Sequence, residues 1–213
     1  MLDALLISLK VLAIDAPILA LLGAALGWVL SRWSFRGREL LGLMLQLPVI
    51  MPPSVLGFYL LFVIAKTPGL RDMGVLFSFP AAVIGSIAPS LPLMIQSARG
   101  AFGSVDRTLE EAARVLGASR LRVFFSVTLP LCRRQLGVGL ALACARALGD
   151  FGVTLMLAGN VPGSTQTLPL YIYSQVETLD FGAAHLASGL LALVGVGCLF
   201  LIRVMENGRG TLH

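Results

Sequence analysis

Apolar residues in this chain fall into five long runs, within 5–30, 40–65, 80–98, 136–158 and 183–205. One long polar segment, 106–130, stands apart from them. A helix needs about 20 mostly apolar residues to cross the hydrocarbon core of a bilayer. The pattern therefore predicts an all-α polytopic membrane protein of about five transmembrane helices, one domain over 1–213. The polar segment has its own period. Leu109, Ala112, Ala113 and Leu116 recur at i, i+3, i+4 and i+7, on one face of a short amphipathic helix. Glu110 and Arg114, four apart, are placed to pair on the other side. Asp106 is a candidate N-cap, and Thr108 with Glu111 has the spacing of a capping box. Gly117 ends this helix, because glycine enters a left-handed C-cap without steric cost. Ser119 is placed to cap a second helix carrying Leu121, Val123, Phe124 and Phe125, closed by Leu129 and Pro130.

Composition supports the membrane reading. Apolar residues make up 57% and charged residues 13% of the chain, against roughly 25% charged in an average soluble domain. Mean hydropathy is +0.89. The net charge of +5 does not indicate nucleic acid, since the arginines cluster beside apolar runs rather than on a soluble face. Arg32, Arg36 and Arg38 follow the first run; Arg99, Arg107, Arg114, Arg120, Arg122, Arg133 and Arg134 lie between the third and fourth; Arg203 and Arg209 follow the fifth. The opposite side has only Lys66 and Arg71, and 159–182 has no Lys or Arg but carries Glu177 and Asp180. The positive-inside rule then places the N-terminus outside, and the 106–130 segment and the C-terminus in the cytoplasm. The first run is not a secretory signal, because its early cation, Lys10, sits inside the apolar stretch. Cys132, Cys144 and Cys198 are isolated among apolar residues, without metal-ligand spacing, so buried inert thiols are expected and no metal site.

The polar segment carries a motif. Glu111, Ala112 and Ala113 are followed after three residues by Gly117 and after nine more by Val127, Thr128, Leu129 and Pro130. This spacing resembles the EAA loop of ABC importer permeases, with Val127 where the family pattern has Ile. The resemblance implies the type I ABC importer permease fold. It implies that 106–130 is a cytoplasmic loop whose helix docks in a groove of an ATP-binding subunit through Leu109, Glu111, Ala112, Ala113 and Leu116, with Gly117 setting the angle to the next helix. The motif and the charge-based topology put the loop on the same side.

Within the apolar runs, prolines and ionisable residues are the remaining signals. Pro48, Pro52 and Pro53 interrupt the second run, and Pro89 and Pro92 the third. Each removes a backbone donor and is expected to kink or break its helix. Irregular backbone at membrane depth belongs inside a bundle or along a water-filled cavity. Pro48, Pro52, Pro53, Ser54, Pro89, Ser90 and Gln96 are therefore candidate pathway lining. Arg146 and Asp150, four apart in an apolar stretch, are expected to pair inside the bundle, as a latch or part of a gate. Lys10 and Asp15 are expected near the outer interface, where lysine can snorkel. Gly23 and Gly27, with Gly189, Gly195 and Gly197, permit close helix packing.

The segment 158–173 begins with the turn formers Gly159, Asn160, Pro162 and Gly163, and then offers neutral donors at Ser164, Thr165, Gln166 and Thr167 on the outer side. Together with PPSVLGFYLL in the second run and ARALGDFG in the fourth, it resembles molybdate permease subunits over nearly the whole chain. Departures are Ser164 and Asp150, where that family commonly has Glu, and Arg107, where it often has Pro. The resemblance implies a homodimer, two ATP-binding subunits, and a periplasmic or lipid-anchored binding protein that delivers the oxyanion at a bacterial or archaeal plasma membrane. Molybdate is the implied substrate, with tungstate similar in size and charge; sulfate or thiosulfate is the alternative. No Gly-x4-Gly-Lys-Ser/Thr phosphate loop is present, so ATP hydrolysis by that route falls to another subunit and no cofactor is expected. A membrane-embedded enzyme would need clustered carboxylates or histidines, but the chain has two histidines and scattered acids. A passive channel would not need an ATPase partner.

Overall fold

The computed structural model describes residues 1–207. Arg209 and His213 lie outside the described residues, as do the side chains of Cys198 and Arg203. Among the described residues the regular elements are all helices, with no strand: α1 (Leu2–Arg32), α2 (Arg38–Ile50), α3 (Pro53–Lys66), α4 (Pro68–Asp72), α5 (Phe79–Gly103), α6 (Arg107–Val115), α7 (Arg120–Leu148), α8 (Gly152–Ala158), α9 (Leu168–Glu177) and α10 (Phe181–Asn207).

α1 and α5 are each long and apolar enough to cross a membrane unbroken. α1 buries one stripe, Ala4, Ile7, Val11, Asp15, Leu19, Gly23, Gly27 and Leu30, at steps of three and four residues. Its opposite face, with Leu2, Leu6, Leu9, Leu21 and Leu22, is exposed and equally apolar, as lipid contact requires. A widened turn at Leu19–Gly23 follows Pro17. α5 is the central post. It packs on α1, α7 and α8, and Met94, Ala98, Ala101 and Phe102 are buried among Leu19, Cys132, Leu136 and Ala143.

The prolines behave in two ways. At 52 and 53 they break the chain. A residue before proline is pushed into extended conformation, and Met51 (ψ 138°) and Pro52 (ψ 138°) both adopt it. α2 and α3 therefore meet at 113°, so the second apolar run is not one continuous span. Their 13 and 14 residues give arms of only about 20 Å each, short of the roughly 30 Å core. Pro89 and Pro92 do not break their helix: α5 runs through both for 25 residues. They are buried between packed neighbours, and within the same turns the Ser86 and Ser90 hydroxyls bond backbone carbonyls, Ser90 Oγ to Ser86 O at 2.7 Å.

The fourth apolar run is also broken. α7 ends at Leu148, and α8 leaves at 60° after 149–151. α8 wedges between α3 and α5, and the two breaks in the bundle meet there: a Cβ placed on Gly152 would lie 2.8 Å from Pro53 Cβ. α9 and α10 pack together beside α1 around Ala4, Leu168 and Ala187. The neutral donors of 164–167 are largely turned inward. Thr165, Gln166 and Thr167 are buried, and Gln166 Nε2 donates to Asn160 Oδ1 at 2.9 Å.

Lipid offers no hydrophobic gain for bringing helices together, so close packing carries the association. At Gly27 an added Cβ would sit 2.5 Å from Ala98 Cβ and 2.8 Å from the Arg99 backbone nitrogen, whereas at Gly189 it would meet nothing within 4 Å. Gly27→Ala is expected to destabilise the detergent-purified protein by about 1–3 kcal/mol through overpacking. Gly189→Ala is expected to be neutral or to stabilise it by up to about 1 kcal/mol. Thermal melts of the two variants compare the positions directly, and equal melting temperatures would contradict the α1–α5 contact.

Candidate functional site

The 106–130 segment folds as a helix, a corner and a second helix. Asp106 is the N-cap of α6: its carboxylate accepts from the Thr108 N–H at 2.9 Å, and this bond holds its pKa below the usual carboxylate range. The C-terminus is a Schellman turn. Gly117 has φ +88°, its N–H donates to Arg114 O at 3.0 Å, and the Ala118 N–H donates to Ala113 O at 3.1 Å. The next helix begins at once, with the Ser119 hydroxyl accepting from the Arg122 N–H at 3.3 Å. Leu129 and Pro130 do not close that helix, contrary to the expectation. A widened turn at Phe124–Thr128 precedes Pro130 and absorbs its missing donor, so α7 continues without a break from Arg120 to Leu148. A single lever of about 44 Å thus leads from the corner into the bundle.

Glu110 does not pair with Arg114. It turns inward, where Arg32 Nη2 donates to its Oε1 at 2.7 Å and Thr128 Oγ1 donates to the same oxygen at 2.6 Å. One carboxylate therefore ties α6 to the end of α1 and to α7, and the Arg32 side chain is only 11% exposed. Trp28 and Phe102 pack against Phe124 behind this contact. Sequence reading missed Arg32 and Thr128. The sequence signal for this contact is an arginine at the end of the first apolar run.

On the outer face of α6, Leu109, Glu111 and Ala112 are exposed, and Leu116 is 88% exposed. Ala113 is half-buried, on the side of Glu110. Val115, not singled out from the sequence, is 87% exposed and extends the apolar surface of Leu109, Ala112 and Leu116.

The pathway candidates separate. Pro52, Pro53 and Ser54 are exposed at the α2–α3 corner, and Pro48 is half-buried. Pro89 and Ser90 are buried and face packed protein. Gln96 is exposed and borders an open cavity of about 500 Å³ with Ser97, Arg134 and Gln135, between α5 and α7. Arg146 and Asp150 are joined at 3.3 Å, but the helix ends between them. Asp150 also accepts from the Thr154 N–H at 3.0 Å and from its hydroxyl at 2.9 Å, so it caps the first turn of α8. Asp15 is not at an interface. It is fully buried about midway along α1 and accepts from Ser86 Oγ at 2.6 Å, while Lys10 is exposed.

The family model described as the binding-protein-dependent transport system inner membrane component matches residues 20–207. The chain belongs to this family. This permease is 38% identical to the molybdenum transport system permease protein ModB of Escherichia coli K12, over 98% of its own chain and 96% of that protein. It is also 38% identical to the putative molybdenum transport system permease protein YvgM of Bacillus subtilis, over 94% and 91%. It is 32% identical to the sulfate transport system permease protein CysW of Synechocystis, over 98% and 78%. Among solved structures, a bacterial alginate ABC importer matches with a TM-score of 0.77 at 17% identity, covering 98% of this chain and 79% of that one. The MetNI methionine ABC transporter matches with a TM-score of 0.71 at 15% identity, covering 96% and 95%. The fold is that of type I ABC importer permeases. Permeases of this kind are not themselves enzymes; ATP hydrolysis resides in a separate subunit.

The tie at Glu110 is testable in this permease. A hydrogen bond to a charged group contributes about 1.5–3 kcal/mol, and Arg32→Met leaves Glu110 without its cation. That variant is expected to lose about this much stability in thermal melts. In the double variant Arg32→Met/Glu110→Gln part of the loss is expected to return, because no unpaired charge remains. Strictly additive losses would show that the two side chains do not interact.

Proposed function

We propose that the chain is the membrane-spanning subunit of an ATP-driven importer for molybdate, with tungstate as a close analogue. The observation that carries the substrate is the end-to-end 38% identity to molybdenum permeases, against 32% to a sulfate permease of which the chain matches a smaller share. Two copies would form one pathway, two ATP-binding subunits would dock on the cytoplasmic side, and a separate oxyanion-binding protein would deliver the substrate from outside. The arginine distribution supports a cytoplasmic 106–130 segment and C-terminus, with the N-terminus and Gly163 outside.

In this reading α6 is the docking element. Leu109, Ala112, Val115 and Leu116 insert in a groove of the ATPase, Ala113 keeps the approach close, and Glu111 meets a polar or basic partner at the rim. Gly117 sets the corner, and α7 carries the displacement into the bundle. The open surface around Gln96 and the corner at Pro48, Pro52, Pro53 and Ser54 are the proposed pathway lining, to which Pro89 and Ser90 contribute by shaping α5. Weak contacts suit a pathway that must release its anion: Gln96, Ser97 and Gln135 are neutral, and Arg134 is the cation at that cavity.

The experiment is uptake by proteoliposomes holding the permease, its ATPase and its binding protein. ATP-dependent accumulation of radiolabelled molybdate is expected, competed by tungstate and poorly by sulfate. Leu116→Asp is expected to insert normally, fail to co-purify with the ATPase and lose uptake, because it places a charge in an apolar contact. Sulfate accumulation that molybdate does not inhibit would reassign the substrate. Wild-type uptake by Leu116→Asp would remove α6 as the docking element.

A further inference from the structure

The second group of buried polar residues lies far from α6. Asp15 on α1 and Asp150 at the break after α7 line one small cavity of about 10 Å³, together with Ser8, Ser86, Thr154 and Thr167. That is room for a single water-sized particle. Asp15 is 0% exposed, and its Oδ1 has no hydrogen-bond partner. The Thr167 hydroxyl, equally enclosed, has none either. Two buried acceptors without a partner at one cavity are costly unless something fills it.

We propose that this cavity is a binding site for one small monovalent cation of the size of sodium. Three observations select that ligand. First, the side-chain donors lining the cavity are all oxygens, the ligand type of hard cations. Among the described residues no three His, Cys, Asp or Glu side chains converge, so this is not the donor set of a transition-metal centre. Second, with both carboxylates ionised the local charge is one negative in excess. Asp15 and Asp150 contribute two negative charges, and Arg146, bonded to Asp150 at 3.3 Å, returns one. The Ser86 hydroxyl lies 2.6 Å from Asp15 Oδ2 and leaves Oδ1 open to the cavity. A single monovalent ion neutralises the cluster, whereas a divalent ion would leave an excess positive charge at membrane depth. Third, the cavity lies at a broken membrane helix. Ala147 and Leu148, the last residues of α7, line it. The carbonyl end of a helix carries partial negative charge, and interrupted helices supply cation sites in membrane transporters by this means.

The ion would hold α1, α5 and the start of α8 together at the point where α7 stops. Its removal would leave two carboxylates at one unfilled cavity. The site is separate from the docking helix and from the pathway candidates, and it does not depend on which oxyanion is carried.

The test uses the full chain purified with its ATPase subunit. Melting is followed as sodium chloride replaces choline chloride at constant ionic strength. A saturable rise of roughly 5–10 °C is expected at sodium well above its dissociation constant. Asp15→Asn is expected to remove the response. Thr167→Val, which deletes one oxygen and keeps the shape, is expected to weaken the apparent sodium affinity severalfold while leaving the fold intact. Equal melting in sodium and choline would overturn the proposal and leave the cavity to a water molecule. A response to pH alone would overturn it in favour of a shared proton. An unaltered sodium response in both variants would place the ion elsewhere.

Discussion

Lipid cannot hydrogen-bond the backbone, so any interruption of a helix at membrane depth must be covered by the protein itself. This chain is arranged around that constraint. Its two interruptions, at 51–53 and 149–151, pack against each other, with Pro52 and Pro53 at an exposed corner. α8 brings them together between α3 and α5, and Gly152 approaches Pro53 so closely that a single added carbon would collide. Asp150 covers the second break from within, accepting from Thr154 on one side and Arg146 on the other. The unbroken α5 makes this possible. It is the post against which α1, α7 and α8 all pack, and its two prolines are accommodated inside the unbroken helix among those neighbours.

The same arrangement explains how a short surface helix can act on the bundle. α6 has few contacts of its own, and its outer face is exposed. What makes it mechanically useful is one carboxylate, Glu110, shared between Arg32 of α1 and Thr128 of α7. With the Schellman turn at Gly117 and the cap at Ser119, this leaves little freedom between α6 and the lever that follows. If α6 is the docking element proposed above, a push on Leu116 and Val115 would be a push on α7, which ends at the second break and the buried aspartates.

Local signals were legible in the sequence and distant ones were not. Asp106, Gly117 and Ser119 could be read because a cap or a left-handed turn depends on a few neighbouring residues. The membrane class and the apolar runs were readable for the same reason. Glu110 was assigned to Arg114, its neighbour on the helix, while its partner Arg32 lies 78 residues away. Asp15 was placed at an interface because Ser86, 71 residues on, cannot be inferred from periodicity. Proline was ambiguous in principle. Adjacent prolines at 52 and 53 force two successive extended residues, while Pro89 and Pro92 each remove only one bond from a helix that its neighbours support. The burial of Pro89 and Ser90 follows from that packing, as does the half-burial of Ala113 from the inward turn of Glu110.

The central claim is that α6 and α7 move as one body through the nucleotide cycle. Spin labels at Thr108 on α6 and Leu131 on α7, both exposed, report it in assemblies that carry one labelled chain. The distance between them, read by pulsed electron paramagnetic resonance, is predicted to be the same single value with and without ATP. A second distance, or a shift of several ångströms on adding ATP, would show that α6 swings independently at Gly117 and would contradict the account.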